Sequence, residues 1–541
     1  MTRTVLTTAC LFLMGTSAAI ADDTLWARYF RSDRDCYGRT LLVDKDDNII
    51  AVGTCMGAGS GNDVGVVKVS PDGTRLWFVT VAGPGAYNDE AKGAALDADG
   101  NIYFTASSGL YPDFDIMTVK LDPTGSEVWR QTWGGPDSKQ DVPAGIAVDS
   151  AGNSYVTGYT TYANGQCDWV TMKLNNGNGL PTWVVVRPSE GGGVNFPTAI
   201  VLGPGDAPYI TGYNQREHLE DYATVKYNTD GVEQWASFYN YSGNGPDKAV
   251  DIAVDDAGDA YVTGTSATAP APSGINQYAT VKYANDSGTQ IWVSRDTGSG
   301  GPSEAGAIAL GASAVYITGA SADSAFVDDY ATIAYDKSSG SKLWATRFID
   351  PAGKNADAAD LAVLPSGKIL VTGTSIDSGD RGGMMTIRYT DSGAVDWAAL
   401  YSGPYGSDAI AMAVAFDSHS NPIVLGSSFD SGYYGFLILK YDGTAFGGVT
   451  EFTPAVPARP GMRLAPNPAR NWTNLQHSLS GAAPAIVSLL GVDGRVVRTQ
   501  RLDGQASAPV RLDLTGLAPG IYVVRLVSGG RSATQKLVVQ Q

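Results

Sequence analysis

Hydrolytic chemistry needs a histidine, a thiolate or carboxylates held at a fixed spacing. This chain of 541 residues has three histidines, His218, His419 and His477. They stand in unrelated contexts, and no HExxH, GxSxG or Cys/His zinc spacing accompanies them. A catalytic triad and a histidine metal site are therefore not expected. Carboxylates are plentiful, and an acid/base pair assembled from distant segments would leave no local motif. The turns "DKDDN" (44–48) and "DADGN" (97–101) cluster Asp and Asn oxygens. That composition is open to calcium but lacks the longer loop with its terminal Glu. Asx capping of a turn is the plainer reading. We expect no metal and no cofactor, with calcium at those turns as the alternative.

Residues 1–21 read as a signal peptide: Arg3, an apolar stretch "VLTTACLFLMG", and "AIA" before Asp22. No other stretch approaches the length of a membrane helix. Cys36 and Cys55 flank a hairpin, "YGRTLLVD" then "NIIAVGT", that brings them nearly opposite, so a disulfide is expected in an oxidising compartment. Cys167 is left as a lone, partly buried thiol. The net charge is −18, but from residue 463 onward nine Lys/Arg face three Asp/Glu, so the body before it is acidic. An acidic body argues against nucleic acid and anionic membranes as partners.

The positioning elements repeat. Trp26, Trp77, Trp129, Trp183, Trp235, Trp292, Trp344 and Trp397 are spaced by 51, 52, 54, 52, 57, 52 and 53 residues. Three segments travel in phase with them: "DIAVDDAGD", "YVTGTS" and "DYATVKY" with their relatives. Each is short, rich in Val, Ile, Thr and Tyr, and bounded by Gly, Asp, Asn or Ser, so each reads as a strand. We call them A (IAVD), B (YVTG), C (ATVKY) and D (the Trp strand). One unit is a four-stranded antiparallel meander, which buries its faces only against neighbours.

The series begins with a D strand, "TLWARYF" (24–30), and ends with a C strand, "GFLILKY" (435–441). If the first completes the last, the chain is an all-β, eight-bladed β-propeller closed by its N-terminal strand. The Trp residues and the glycines of the B strands (158, 212, 264, 319, 373, 426) then read as packing positions. The strand-C bases are expected to pair with local carboxylates, although position 334 is Ala.

On "DYATVKYNTDGVEQW" and "AVDDAGDAYVTGTS" the array resembles bacterial SBBP-type β-propeller repeat proteins over roughly 24–441. The likeness implies the fold and is nearly silent on activity. The stretch "YDKSSGSKLW" (335–344) also looks like the tryptophan-docking motif of quinoprotein dehydrogenases. Their adjacent cysteine pair is absent, so we read it as convergent blade packing.

Residues 442–462 read as a Pro/Gly linker. Beyond it, alternating apolar segments separated by "DG", "PG" and "GG" indicate about seven short strands in a small β-sandwich, 463–541. On "PNPARN", "DGRVV", "LAPGIYVVRL" and "QKLVV" this region resembles the type A C-terminal sorting domain of type IX secretion. The resemblance implies a partner, the type IX machinery, and a secreted or cell-surface location.

A–B and C–D links are short and share one end of the ring; B–C and D–A links read as longer and share the other. Binding usually sits on loops held by a rigid scaffold. The ligand-binding candidates are Tyr111, Asp113, Tyr159, Tyr162, Asn164, Asn214, Arg216, Asp328, Asp380 and Arg381. The leading expectation is a non-enzymatic binding protein for an extracellular glycan, polymer or protein. The alternative is a carbohydrate-active hydrolase or lyase with carboxylates near the channel; a structural stalk without a defined ligand is a third.

Overall fold

The computed structural model describes residues 24–443 and 462–540, apart from 33, 58–60, 86, 190–192, 217–218, 243–244, 271–273, 299–300, 324–325, 350–352, 378, 404–406, 431, 466–467, 478–484, 491–494, 503–509 and 529–530. The signal segment and most of the linker lie outside these. The chain divides into two compact units, 1–452 and 453–541.

In the first unit the repeat builds eight four-stranded antiparallel sheets. Seven run A-B-C-D in chain order. In the eighth, Thr24–Phe30 pairs with Tyr433–Tyr441 beside Pro422–Asp430 and Ala409–Phe416. Each A strand packs beside the A strands of the sheets before and after it, and Cys36–Val43 packs beside Ala409–Phe416. The series therefore returns on itself.

Alternation along the B and C strands buries both faces, because each sheet lies between two others. Val, Ile, Tyr and Phe fill these layers: Tyr103, Tyr209, Tyr261, Tyr335 and Tyr389 are all at most 1% exposed. Except in the first and eighth sheets, where Val52 faces Val66 and Leu425 faces Ile438, the Thr of the "VTG" strand faces the Thr of "ATVKY", as in Thr211–Thr224 at 3.1 Å and Thr318–Thr332 at 3.2 Å. The following Gly sits opposite a bulge in strand A. At Gly158 an added Cβ would lie 2.4 Å from the Val142 carbonyl, which explains why no side chain is used there.

Each Trp stands in register with strand C, opposite its base in seven sheets, for instance Trp26 with Lys440 and Trp77 with Lys68, and opposite Ala334 at Trp344. Its Nε1–H donates to a C–D turn carbonyl of the next sheet: Trp77 to Pro123 at 3.1 Å, Trp183 to Thr229 at 3.0 Å, Trp235 to Asn285 at 2.8 Å. At the seam, Trp26 Nε1 and Lys440 Nζ both donate to the Pro71 carbonyl, at 3.1 and 3.0 Å. The turn glycine lies against the same indole; Gly125, at φ +87°, would place a Cβ 3.0 Å from Trp77.

The bases mostly find carboxylates, but not by one rule. Lys68–Asp44 and Lys440–Asp417 are buried pairs at 2.9 and 2.8 Å. Arg388 pairs instead with Asp396 on its own outer strand. Lys226 binds the Asn285 carbonyl at 3.1 Å; position 203 is Gly where five sheets carry the A–B turn Asp, while the sixth and seventh carry Gly311 and Leu364.

Two A strands carry inner carboxylates beside their bulges. Asp251 accepts from Ile308 N of the next sheet at 3.0 Å, and Asp360 from Val414 N at 2.8 Å. Burial pushes Asp251 up to about 6; burial, with a smaller contribution from Asp251, pushes Asp360 up to about 7.

The second unit contains Met462–Ala465, Trp472–His477 and Val510–Asp513 in one sheet. A second sheet holds Val496–Leu502, Ala485–Leu490, Gly520–Ser528 and Arg531–Val539. Leu475, Leu512, Val487, Leu489, Val524, Leu526 and Leu537 form one core between them.

Two outcomes follow from the packing. Trp26→Phe removes one seam hydrogen bond and should cost about 1 kcal/mol. Lys440→Met strands the Asp417 charge, whose side chain is 2% exposed, and should cost about 3–5 kcal/mol in denaturant unfolding. For the inner carboxylates, a folded pKa above the unfolded one means stability that is full at low pH and lost as pH rises through about 6 and about 7. The Asp251→Asn/Asp360→Asn protein should therefore gain thermal midpoint over the parent between acid and neutral pH; parallel curves would exclude this linkage.

Candidate functional site

The two ends of the ring differ in chemistry. At the A–B/C–D end the polar groups are consumed by the scaffold. Asp44 Oδ1 accepts from Asp46 N and Asn48 N, both at 2.9 Å, while Oδ2 meets Lys68. Asp97, Asp149, Asp255 and Asp417 repeat the turn cap. The side-chain oxygens of "DKDDN" and "DADGN" thus serve as Asx caps and ion-pair partners. Asp47, Asp417 and His419 gather where the first and last sheets meet. Asp47 is already bound by Ser418 N and Oγ at 2.8 and 2.6 Å, and Asp417 by Lys440. Asp206 ties Ser150 between other sheets in the same way, which marks the contact as structural.

The B–C/D–A end carries the exposed chemistry. Among the described residues of the array, the well-exposed aromatic side chains are Tyr37, Tyr87, Tyr111, Phe326, Phe429 and Tyr433, and all six lie at this end. Its D–A loops are fastened from below: Asp89 accepts from Gly83 N, Asp141 from Gly135 N at 2.5 Å, and Asp247 from Tyr241 N at 2.7 Å. Burial pushes Asp141 up to about 6.

The B–C links are not uniformly long, contrary to the reading of the sequence. Strands B and C continue past the body of the sheet as hairpins. Only 111–112 and 217–218 separate them in the second and fourth sheets, and 268–275 is the longest interval. The polar residues "SSGL" and "DFDI" look like loop but complete a ladder that ends at Leu110–Asp113.

This extension relocates several candidates. Asn214 is not a surface residue: it is 1% exposed and stands in register with Asn195 and Asp221. Tyr159 is half-buried and packs edge-on against Phe196, ring centroids 4.8 Å apart. Tyr162 is half-buried in the turn that Asn164, exposed, closes through Gln166. Tyr111 is 78% exposed and Asp113 is exposed beside it. Arg216 ends its strand opposite Leu219. Asp380 is exposed and pairs with Lys354 at 2.7 Å, and Arg381 pairs with Asp377 at 3.4 Å. The ten candidates lie on the rims of the second, third, fourth, sixth and seventh sheets.

Two pockets open at this end. Glu304, Asp328 and Asp357 line one of about 410 Å³ between the sixth and seventh sheets. Burial raises Asp328 and Asp357, and Glu304 raises both further, as does Asp328 for Asp357. The other, about 730 Å³, lies at the seam and is lined by Arg34, Asp35, Met56, Asp63, Thr80 and Tyr433 among others. Beside it, Tyr37 packs on Tyr434 at 5.3 Å and Phe429 on Tyr434 at 5.4 Å. The Cys36–Cys55 disulfide, S–S 2.09 Å, joins its wall strands. The sequence candidates include none of these seam residues. The run "FDSGYYGF" (429–436), the most aromatic of the B–C links, is the signal that points to them.

Among the described residues no helix is long and apolar enough to cross a membrane. Residues 463–540 match the family model of the secretion system C-terminal sorting domain, and 135–165 match that of the SBBP β-propeller repeat. No curated protein matches the chain. Among solved structures, Sqt1 from Chaetomium thermophilum is 10% identical, with a TM-score of 0.48, over 79% of this chain and 100% of that one. The quinohemoprotein alcohol dehydrogenase of Comamonas testosteroni is 11% identical, TM-score 0.46, over 77% and 76%. The periplasmic gluconolactonase PpgL of Pseudomonas aeruginosa is 14% identical, TM-score 0.40, over 67% and 95%. Likenesses this distant carry nothing about activity. The sorting domain marks the chain for secretion or the cell surface. The chain thus joins an SBBP-type β-propeller repeat region to the C-terminal sorting domain of type IX secretion.

Proposed function

We propose that the chain is an exported eight-bladed β-propeller, latched by its N-terminal strand, that binds an extracellular ligand through its B–C/D–A end. The observation that carries this reading is that, among the described residues, the exposed aromatics and the two pockets described above lie at one end, while the other end spends its polar groups on turns and staples. A rigid body offering aromatic and mixed polar groups at one end suits binding. The small terminal β-sandwich serves as the export signal read by the type IX machinery.

The acidic pocket favours one second reading, an extracellular polysaccharide hydrolase or lyase. Carboxylates that raise one another's pKa can divide into acid and base. Turnover of a polysaccharide that disappears in Asp357→Asn would establish it.

Because Cys167 is buried, single introduced cysteines can be labelled with a bulky maleimide polymer. Polymer at Asn164→Cys or Asp380→Cys should block capture on an array of immobilised polysaccharides, mucins and matrix proteins. Polymer at Asp72→Cys or Asp230→Cys, at the opposite end, should not; the reverse ranking would refute the assignment. Deleting 463–541 should leave the protein in the periplasm, read by cell fractionation.

A further inference from the structure

We propose that the seam pocket is a carbohydrate-binding site in which Tyr433 stacks on a sugar ring while Arg34, Asp35 and Asp63 bind its hydroxyls. The inference rests on the reading that the B–C/D–A end binds a ligand, and it names both the place and the ligand class.

The pocket presents three kinds of surface together. Tyr433 is 43% exposed and Met56 43% exposed, which supplies apolar area for the C–H face of a pyranose. Arg34 supplies only donors, and Asp35 and Asp63 only acceptors when ionised. A hydroxyl both donates and accepts, so a polyol uses all of them. An anionic ligand would face Asp35 and Asp63; a cationic one would face Arg34. Arg31 lies over the Tyr433 ring, 5.3 Å from its centroid, with Nη1 buried and lacking an acceptor.

The groups are held before a ligand arrives. Tyr29 donates its hydroxyl to the Tyr433 carbonyl at 2.6 Å, and burial pushes that phenol up to about 12, so it remains a donor. Asp35 Oδ1 accepts from Tyr434 N at 2.7 Å, and the Asp35 carbonyl from Met56 N at 2.8 Å. The adjoining Cys36–Cys55 bond joins the strand that Asp35 directly precedes to the strand that carries Met56. Such preorganisation lowers the entropic cost of binding.

The test is affinity electrophoresis of the mature chain in gels containing laminarin, xylan, galactomannan or polygalacturonate. We expect retardation by at least one neutral polysaccharide. Tyr433→Ala and Asp63→Asn should weaken it about tenfold or more, while Tyr433→Phe keeps it and Asp230→Ala, in an exposed turn at the opposite end, leaves it unchanged. Thermal midpoints establish that each variant is folded, and Tyr433→Phe against Asp63→Asn decides the matter if Tyr433→Ala is not. Retardation that survives Tyr433→Ala and Asp63→Asn but is lost in Phe326→Ala would overturn the seam site and leave the binding end intact. Retardation by polygalacturonate alone, abolished by salt, would replace sugar recognition with charge pairing and overturn the proposal. Absence of retardation in every gel would also overturn it, and the protein spots of the array would then judge the binding end by themselves.

Discussion

One carbonyl oxygen, that of Pro71, receives the two groups that shut the ring. Trp26 Nε1 comes from the first strand and Lys440 Nζ from the last, and the two residues are register partners across the final strand pair. The same arrangement joins other neighbouring sheets, where Trp77 and Lys68 meet at the Pro123 carbonyl. Neither donor is strong alone in water. Here both lie against an indole and a buried carboxylate, where an unmet polar group is expensive. The sheets have no alternative partner for their apolar faces, so the staple decides which face meets which.

That demand explains the division between the two ends. Trp, Lys and turn Asp all act at the A–B/C–D end, and the glycines there must admit a neighbour's ring. The opposite end is released from this duty. It needs only loop caps such as Asp89, Asp141 and Asp247, which leaves side chains such as Tyr37, Phe326 and Tyr433 free to face solvent. Burial raises Asp141 and Asp247 among these caps, and a backbone amide donating to each opposes the shift.

The repeat could be read from the chain because its physics is local and periodic. The indoles from Trp26 to Trp344 each reach a carbonyl one sheet on, which fixes their spacing. The VTG motif is similarly constrained by a threonine pair and a bulge. The site is different. Arg34 and Asp63 belong to the first sheet and its approach, but Tyr433 lies hundreds of residues away and joins them only through closure, so no window of sequence contains all three. Asn214 misleads for another reason: polar composition suggested a loop, but the hairpin continued and carried the side chain into the sheet. Asp251 and Asp360 gave no signal either, since the partner that holds each belongs to the following sheet.

Latching by Thr24–Phe30 has a consequence for the order of folding. The segment that finishes the last sheet precedes every other strand of the array along the chain, and its contact with Tyr433 spans 404 residues. Until then Trp26, Tyr29 and Phe30 sit on an unmatched edge, a hazard for association with other nascent chains. Rapid transit or a holding chaperone would be of most value during that interval, and a prematurely truncated product would remain sticky however well its middle had folded.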